Sequence, residues 1–296
     1  MSGRRLHEDE IAVDAELVRA LVTTQAARWA DLPLSALESA GTVNAIFRLG
    51  PDMYVRLPRA ARFVTSLGNE LTWLPHLAPN LSLAVPEPLM RGEPGAGFPF
   101  PWAIFHWLEG TTYSPERVVD EVEEGRRLGR FVLELRAVDH AGAPRSTRDA
   151  AVTDDVFTKY SIERLPARFD QEAVRPAWDA ALEAAPWHGA GATWTHGDLI
   201  PPNVLVRDGR IAGVLDFGEA GVGDPAVDLI PAWALFGHEG RAAFRATIGA
   251  DDNTWHRARA FAYRQAIRII PYYLHTHPDF VAMASATVAR VLDDLP

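Results

Sequence analysis

The sequence has no cysteine and a single lysine, Lys159, among its 29 basic residues. Without cysteine the chain cannot form disulfides, use a thiolate nucleophile or bind a metal through sulfur. The chain has no apolar run near the roughly 20 residues that a membrane-spanning helix needs. Its first residues, MSGRRLHEDE, lack the apolar stretch of a signal peptide. We therefore expect a cytoplasmic protein in which chemistry that elsewhere uses lysine is carried by another residue.

Basic charge is also scarce relative to acidic charge. Against the 29 lysines and arginines stand 39 aspartates and glutamates, which gives a formal net charge of −10. This balance argues against nucleic acid and against an anionic membrane surface as partners, and it favours neutral or cationic small molecules. The 296 residues, 48% of them hydrophobic, suffice for one large domain or two lobes. Composition leaves the oligomeric state open.

The first third of the chain alternates short apolar runs with glycine and proline turns, which predicts antiparallel strands. A helix with Asp14 as its N-cap is predicted over 14–29, and an amphipathic helix over 61–74 that ends at Pro75. The predicted strands cover 34–39, 43–49, 53–57, 88–91 and 102–108.

From residue 109 onward the apolar spacing is mainly helical. A strand pair over 203–206 and 211–215 interrupts the helices, and the Asp208-Gly209 dipeptide between them is typical of a tight hairpin. We therefore predict an α+β fold of two lobes. Residues 1–108 form a small antiparallel β-rich lobe with one key helix, and residues 109–296 form a larger, mainly helical lobe.

The strongest chemical signal is the loop His196-Gly197-Asp198 with Asn203 five residues after the aspartate, followed by Asp216-Phe217-Gly218. Phosphoryl transfer needs a carboxylate that accepts the proton of the attacking hydroxyl, and oxygen ligands that hold Mg²⁺ on the phosphates. One loop and one hairpin supply both. Taken separately, Asp198 is equally a turn cap, and the second motif is equally a turn that ends a strand. Their order and spacing favour the catalytic interpretation.

The stretch THGDLIPPNVLV…GVLDFGEAGVGDPAVDL, residues 195–229, resembles the aminoglycoside phosphotransferase family, a branch of the protein-kinase-like fold. The resemblance implies that Asp198 is the catalytic base and that Asn203 and Asp216 bind Mg²⁺, with ATP or GTP as co-substrate. It also implies a structural role for His196, whose side chain would tie the loop to Asp228.

The same resemblance implies a nucleotide clamp in the small lobe. The segment containing Gly41, Thr42 and Asn44 lies where a phosphate-covering loop is expected, although a hairpin turn with Gly41 at positive φ explains it equally well. Phe105 and Trp107 lie in the segment that resembles the family's inter-lobe strand and would line the nucleobase slot. For either ring, ordinary core packing is the alternative.

A kinase uses a lysine on its third strand to grip the phosphates and a glutamate on the next helix to hold that lysine. This chain has Arg56 and Glu70 at those places. A guanidinium can bind phosphate oxygens and keeps its charge, so Arg56 is predicted to replace the lysine. The alternative is that both are ordinary surface charges. Arg59 and Arg62 are near enough in sequence to take the role of Arg56.

Residues that would contact the acceptor are the least visible in the sequence. Glu219, directly after the Asp216 turn, is the carboxylate that we rank first for this role. Other acidic clusters are expected to be solvated helix faces or caps; they are residues 120–124, 154–155, 251–252 and 293–294.

The motifs together predict a small-molecule kinase that phosphorylates a hydroxyl of an aminoglycoside-like or other antibiotic, and the acidic balance favours a cationic acceptor. A metabolic alcohol such as choline, homoserine or a thiosugar is the alternative acceptor, because fold does not determine substrate. A non-catalytic nucleotide-binding regulator is the alternative from another class. The missing third-strand lysine is the one feature that supports it.

Overall fold

The computed structural model describes residues 9–37, 43–150, 156–167, 169 and 171–295. Gly41 and Thr42, predicted to cover the phosphates, lie outside these residues. The chain divides into two compact units, which we describe separately. The first unit comprises Met1–Pro79, Ala84–Glu109 and Val214–Gly218. The second comprises Asn80–Leu83, Gly110–Gly213 and Glu219–Pro296.

The first unit contains an antiparallel sheet of five strands, in the order β1-β2-β3-β5-β4, within the described residues. Its elements in chain order are α1 (Ala15–Gln25), β1 (Leu34–Ala36), β2 (Asn44–Leu49), β3 (Met53–Pro58), α2 (Val64–Leu77), β4 (Pro88–Gly92) and β5 (Trp102–His106). The predicted strands are therefore present with shifted ends. The opening helix is shorter than predicted, because the segment Ala27–Trp29 forms a separate 3-10 turn.

The core of the first unit lies on one face of this sheet. Val18 and Leu21 of α1, at helical spacing, pack with Val55 and Leu57 of β3, which alternate with polar residues along the strand. Asp14 caps α1, its carboxylate accepting from the backbone N–H of Leu17 at 2.9 Å. The alternation leaves the intervening residues of β3 on the opposite face, where they are free to serve a site.

The prediction that Pro75 ends the second helix is wrong. Helix α2 starts at Val64, after a 3-10 turn over Ala61–Phe63, and continues through Pro75 to Leu77. Leu74 and Leu77 are completely buried, and their packing holds the last turn. A proline this near the C-terminal end removes only one helical hydrogen bond, which the burial outweighs.

The second unit is mainly helical, which together with the sheet of the first unit confirms the predicted α+β class. No helix in the described part of the chain is long and apolar enough to cross a membrane. The strands of the second unit are β6 (Thr111–Thr112), β7 (Thr193–Thr195), β8 (Val204–Arg207), β9 (Arg210–Val214) and β10 (Gly221–Gly223). Val214, the last residue of β9, belongs to the first unit. Its helices are α3 (Glu121–Ala137), α4 (Val156–Glu163), α5 (Gln171–Leu182), α6 (Pro231–Ala234), α7 (His238–Ile248), α8 (Asp252–Tyr273) and α9 (Pro278–Asp293).

The predicted hairpin is present as β8 and β9. Asp208 and Gly209 both have positive φ, 53° and 77°, as a tight hairpin turn requires. Asn203 lies in a 3-10 turn immediately before β8, and Asp216 follows the end of β9 by two residues. One hairpin thus connects the two predicted metal ligands along the chain.

The acidic cluster 120–124 is only partly the solvated face that we predicted. Asp120 is the N-cap of α3, accepting from Glu123 N–H at 3.1 Å. Glu124, however, is 1% exposed and accepts from the backbone N–H of Ile211 in β9 at 2.7 Å. Glu121 accepts from Gly237 N–H at 2.7 Å. Glu121 and Glu124 thus satisfy backbone N–H groups that come from distant parts of the chain. A local sequence pattern does not reveal such pairs.

Candidate active site

Arg56 is the centre of a polar cluster in the first unit. It is only 5% exposed, although it lies on a strand between apolar neighbours. Its Nη1 forms an ion pair with Glu70 Oε2, and its Nη2 forms one with Asp216 Oδ1 at 3.2 Å. Glu70, on α2, is completely buried. The structure therefore brings together three of the residues predicted for phosphate and metal binding.

Asn44 joins the same cluster. A guanidinium only donates, so the carboxamide oxygen of Asn44 must face it, and in that orientation it accepts from Nε and Nη2 of Arg56 at 3.0 Å each. The alternative arginines lie elsewhere. Arg59 donates to the backbone oxygen of Asn44 at 3.3 Å, and Arg62 pairs with Asp9 at the surface. Of the three arginines, Arg56 alone pairs with Glu70 and Asp216 among the residues described.

Electrostatics keep Arg56 charged. Burial alone would lower the pKa of its guanidinium, but the carboxylates of Glu70 and Asp216 outweigh burial and raise that pKa above its ordinary value. Burial raises the pKa of Glu70, and the adjacent guanidinium opposes that shift. The Glu70 carboxylate thus offsets the desolvation of the Arg56 guanidinium. Arg56 remains a buried cation, and its Nη2 contacts Asp216.

Asp216 has an unusual backbone. Its φ of 63° lies in the left-handed region, which few residues with a side chain adopt and in which aspartate is enriched. Two residues later, a Cβ on Gly218 would lie 1.7 Å from Ser66 Oγ, so glycine lets this turn approach α2 closely without displacing the Ser66 side chain. Asn69 of α2 donates to the Gly218 carbonyl at 3.3 Å. This constrained turn presents the Asp216 side chain, 38% exposed, next to Arg56.

The predicted nucleobase residues have different environments. Phe105 is completely buried and stacks on Tyr54 of β3, with ring centroids 5.3 Å apart. Trp107 is half-buried, and the Arg48 guanidinium carbon lies 3.8 Å from its ring centroid. Tyr54 shares a strand face with Arg56, and burial raises the pKa of its hydroxyl. Tyr54 therefore covers the ring of Phe105. The sequence does not single out Tyr54, because tyrosine is a common residue in strands.

In the second unit, the His196-Gly197-Asp198 loop is fixed by Asp228. The Asp228 carboxylate accepts from the backbone N–H of His196 at 2.7 Å and of Gly197 at 2.9 Å. The tie predicted to Asp228 was through the His196 side chain, whereas these two hydrogen bonds come from the main chain of the loop. The imidazole Nδ1 of His196 accepts from the Asp198 N–H at 3.2 Å. Gly197 has a φ of 86°, which bends the loop so that both N–H groups point to one carboxylate.

Asp228 is almost completely buried. It is 1% exposed, and burial raises the pKa of its carboxyl, although the loop N–H groups, His196 and Arg136 each oppose the shift. Asp224, four residues earlier, caps the 3-10 turn Pro225–Leu229 and forms an ion pair with Arg257 at 2.7 Å. Both aspartates therefore occupy structural positions.

The carboxylate of Asp198 is held at both oxygens. Asn203 Nδ2 donates to Oδ2 at 3.1 Å and to the backbone oxygen of Asp198 at 2.9 Å. Gln265 Nε2, on α8, donates to Oδ1 at 2.6 Å. Sequence reasoning missed Gln265, since it lies 67 residues from its partner and belongs to no recognisable motif.

A cavity of about 690 Å³ in the second unit borders Asp198. Among its described lining residues, Asp198 is the one carboxylate, and three are arginines, so the net negative charge of the chain is not concentrated there. The other side chains are mainly aromatic or aliphatic. The lining consists of Thr147, Arg148, Ala150, Gly197, Asp198, Ile200, Val227, Ile230, Phe261, Arg264, Gln265, Arg268, Ile269, Tyr272, Tyr273 and Phe280.

Glu219, the predicted acceptor contact, adjoins this lining. Its Oε2 accepts from Thr147 Oγ1 at 2.9 Å and pairs with Arg148 Nε at 3.2 Å. Both partners line the cavity. Glu219 therefore contacts the lining side chains and is already neutralised by one of them.

Comparison with known proteins identifies relatives of this chain. Viomycin phosphotransferase of Streptomyces vinaceus is 43% identical over 205 residues, which cover 64% of this chain and 70% of that protein. The homoserine kinase of Methylocella silvestris is 31% identical over 199 residues, which cover 62% of this chain and 58% of that protein. The chain spans about two thirds of the length of the curated relatives it matches.

A solved structure supports the fold. The GDP complex of wild-type aminoglycoside 2'-phosphotransferase-IIIa has a TM-score of 0.72 to this chain, covers 95% of it and 99% of its own length, and is 16% identical. The protein-kinase-like fold and the resemblance to aminoglycoside phosphotransferases are thereby confirmed. A family model described as the phosphotransferase enzyme family matches residues 37–261, about three quarters of the 296 residues. On that match the chain belongs to the phosphotransferase enzyme family.

Proposed function

We propose that this protein transfers the γ-phosphoryl group of ATP or GTP to a hydroxyl of a small antibiotic. The observation that carries the proposal is the Asp198 carboxylate, which amides hold at both oxygens on the wall of a cavity of about 690 Å³. Such a cavity has the size of those that enclose drug-sized molecules. A carboxylate placed there can accept the proton of a bound hydroxyl.

The reaction follows from this placement. The acceptor oxygen attacks the γ-phosphorus while its proton passes to Asp198, and the bond from the γ-phosphorus to the bridging oxygen breaks. The products are a phosphate ester and a nucleoside diphosphate. Little covalent chemistry is left to the protein, so catalysis depends on orientation and on neutralising the phosphate charge.

Arg56 would bind the phosphates in place of the usual lysine. It is charged and fixed by Glu70, and its guanidinium fork is suited to phosphate oxygens. Asn44, which also contacts Arg56, would help to position that fork. The nucleobase would contact the surface formed by Tyr54 of β3 and by Trp107, the residue that follows β5.

Asn203 and Asp216 would hold Mg²⁺, which neutralises phosphate charge when it is bound. The side chains fit this cation, since Asn203 uses its amide nitrogen on Asp198 and so keeps its oxygen for another partner. Mg²⁺ commonly takes one or two protein oxygens and completes its shell with water and phosphates. In the described residues there is no cluster of three or more His, Asp or Glu, and such a shell needs none.

Two acceptor classes have support. The 43% identity to viomycin phosphotransferase and the size of the cavity favour an antibiotic. The 31% identity to homoserine kinase supports a metabolic alcohol, although so small a molecule would leave most of the cavity unfilled. In either case we propose that Glu219 contacts the acceptor where Thr147, its hydrogen-bond partner, lines the cavity.

The test is a nucleotide-consumption assay with ATP and GTP, with viomycin, kanamycin, a macrolide, choline and homoserine as acceptors. We expect one antibiotic to give a phosphorylated product, and the Asp198→Asn variant to lose about 10²- to 10⁴-fold in kcat. Asp120→Asn is the matched control, because asparagine caps a helix as well as aspartate does.

Each outcome decides a different part of the proposal. If no acceptor consumes nucleotide while calorimetry shows tight Mg²⁺–nucleotide binding, the regulator alternative replaces the kinase. If only homoserine or choline reacts, the antibiotic acceptor is wrong. Turnover by Asp198→Asn near that of the wild type would exclude Asp198 as the base.

A further inference from the structure

Gln265 contacts the Asp198 carboxylate from an element far away in the sequence. It lies in the middle of α8, and its Nε2 donates to Asp198 Oδ1 at 2.6 Å, a shorter hydrogen bond than the one from Asn203 at 3.1 Å. Asn203 holds the other oxygen from the turn before β8. The two amides together fix the plane of the carboxylate from two independent elements.

The orientation of the Gln265 amide follows from chemistry. An ionised carboxylate only accepts, so the amide nitrogen must face Asp198 and the oxygen must face away. That oxygen, Oε1, is buried and has no hydrogen-bond partner among the described residues. An unsatisfied buried acceptor costs free energy, and native proteins contain few of them.

Gln25 in the first unit shows the structural case. Its Nε2 donates to the backbone oxygen of Glu93 at 2.8 Å, and its Oε1 accepts from Glu93 N–H at 2.8 Å. Both ends of this amide are satisfied, and both hydrogen bonds stabilise the fold. Gln265 has one end on the proposed base, and its other end is unpaired within the described part of the chain.

The backbone of α8 near Gln265 is firmly held. Arg264 Nη2 donates to the Arg148 carbonyl at 2.7 Å, and the Tyr263 hydroxyl donates to the Val174 carbonyl at 2.8 Å. Gln265 also lines the 690 Å³ cavity beside Asp198. Its amide therefore reaches the base from a rigid support at the place where an acceptor would enter.

We propose that Gln265 is a positioning residue for phosphoryl transfer, which orients the Asp198 carboxylate toward the acceptor hydroxyl. The inference rests on the proposed kinase function, in which Asp198 is the base. Removing the Gln265 amide removes the hydrogen bond to Oδ1 of Asp198, while the hydrogen bond from Asn203 to Oδ2 is kept. The carboxylate can then rotate away from the direction of the hydroxyl, and small errors in such geometry lower kcat strongly.

The test compares Gln265→Met with Gln25→Met, the same change at a glutamine outside the site. Methionine nearly matches glutamine in shape and makes no amide hydrogen bond. For Gln265→Met we expect kcat to fall about 10- to 100-fold, with the KM values for nucleotide and acceptor within about twofold of wild type. Its unfolding midpoint should change little, because the loss of the hydrogen bond to Asp198 and the removal of the unpaired buried oxygen act in opposite directions.

Gln25→Met should show the opposite pattern, with a lower unfolding midpoint and an unchanged kcat. A second variant, Gln265→Glu, keeps the shape but places a carboxylate against Asp198. It should lose at least as much kcat as Gln265→Met, whereas a role that depends on shape alone would leave it active. The probes are viomycin, kanamycin and homoserine, each with ATP and GTP.

The outcomes separate this inference from the function on which it rests. Full kcat in Gln265→Met, or a loss of kcat that merely follows a lowered unfolding midpoint, overturns the positioning role while the wild-type kinase activity stands. A wild-type protein that phosphorylates none of the probes overturns the proposed function, and the positioning role with it.

Discussion

At the scale of single residues, buried carboxylates organise both parts of the proposed site. Glu70 holds the Arg56 guanidinium in the first unit, and Asp228 holds the loop N–H groups in the second. Both are almost completely removed from water. A carboxylate can remain in such a place only because charged or N–H donors replace the lost hydration.

The burial of Asp228 predicts a pH dependence of stability. Its pKa is raised from the ordinary 3.8, so the folded state binds this proton more tightly than the unfolded chain does. The resulting stabilisation is fully present below pH 3.8 and is lost as the pH rises through the raised pKa. In Asp228→Asn this dependence disappears, so the variant should gain free energy of unfolding relative to wild type as the pH rises. Urea unfolding between about pH 4 and 8 measures the difference.

Asp251 provides a control of opposite sign. Its hydrogen bonds from the Thr254 backbone and hydroxyl lower the pKa of this exposed N-cap, so its stabilising effect is lost as the pH falls. Asp251→Asn should therefore lose free energy of unfolding relative to wild type as the pH rises to the ordinary pKa of 3.8, so the curves for this control extend below pH 4. Parallel pH curves for wild type and Asp228→Asn would contradict the assignment of a raised pKa to Asp228.

At the scale of elements, close backbone packing between α3 and α7 predicts different effects for the same substitution. A Cβ on Gly125 of α3 would lie 2.4 Å from the Gly240 carbonyl oxygen in α7. Gly68 of α2 has no neighbouring atom within 4 Å of that position. Gly125→Ala should destabilise the protein by about 1–3 kcal/mol because backbone must move. Gly68→Ala should stabilise it by up to about 1 kcal/mol, since alanine is the better helix former. Urea unfolding of the two variants tests both signs, and stabilisation by Gly125→Ala would show that the helices can separate freely.

The elements also show what the sequence could and could not predict. The Asp208-Gly209 turn has only a few favourable conformations, so the hairpin with Asn203 before it and Asp216 after it was predictable. The end of α2 was not, because burial of Leu74 and Leu77 outweighs the local effect of Pro75. The burial of Glu124 depends on β9, which pairs with it only in the folded chain.

The same distinction holds for the site. Asp198 and Asn203 were found because the spacing of one loop encodes their contact. Arg56 and Glu70 were predicted as a pair from the order of elements, and the structure brings them together. Gln265 reaches Asp198 only through tertiary packing of α8, so no local pattern could reveal it.

At the scale of the whole molecule, the scarcity of lysine makes a chemical prediction. The chain has one ε-amine, on Lys159, which is exposed on α4 in the second unit. An ATP derivative with an amine-reactive acyl group on its terminal phosphate labels an amine that lies beside the bound phosphates. Wild-type protein should therefore show no labelling that excess ATP suppresses, because the Arg56 guanidinium stays protonated and does not acylate.

Arg56→Lys turns this negative result into a positive one. The new amine would lie beside Glu70 and Asp216. A lysine amine, unlike a guanidinium, exchanges its proton readily, and its neutral form attacks the acyl group. Peptide mass spectrometry should then find the acyl group at position 56, with labelling abolished by excess ATP or GTP. Labelling of Lys159 serves as the internal control, because at an exposed helix position it should be slow and indifferent to nucleotide. Nucleotide-protected labelling of Lys159 in wild type, or no labelling at position 56 in the variant, would show that the phosphates bind away from Arg56. The pattern expected here would show that this chain grips its nucleotide with an arginine where lysine-based kinases use an amine.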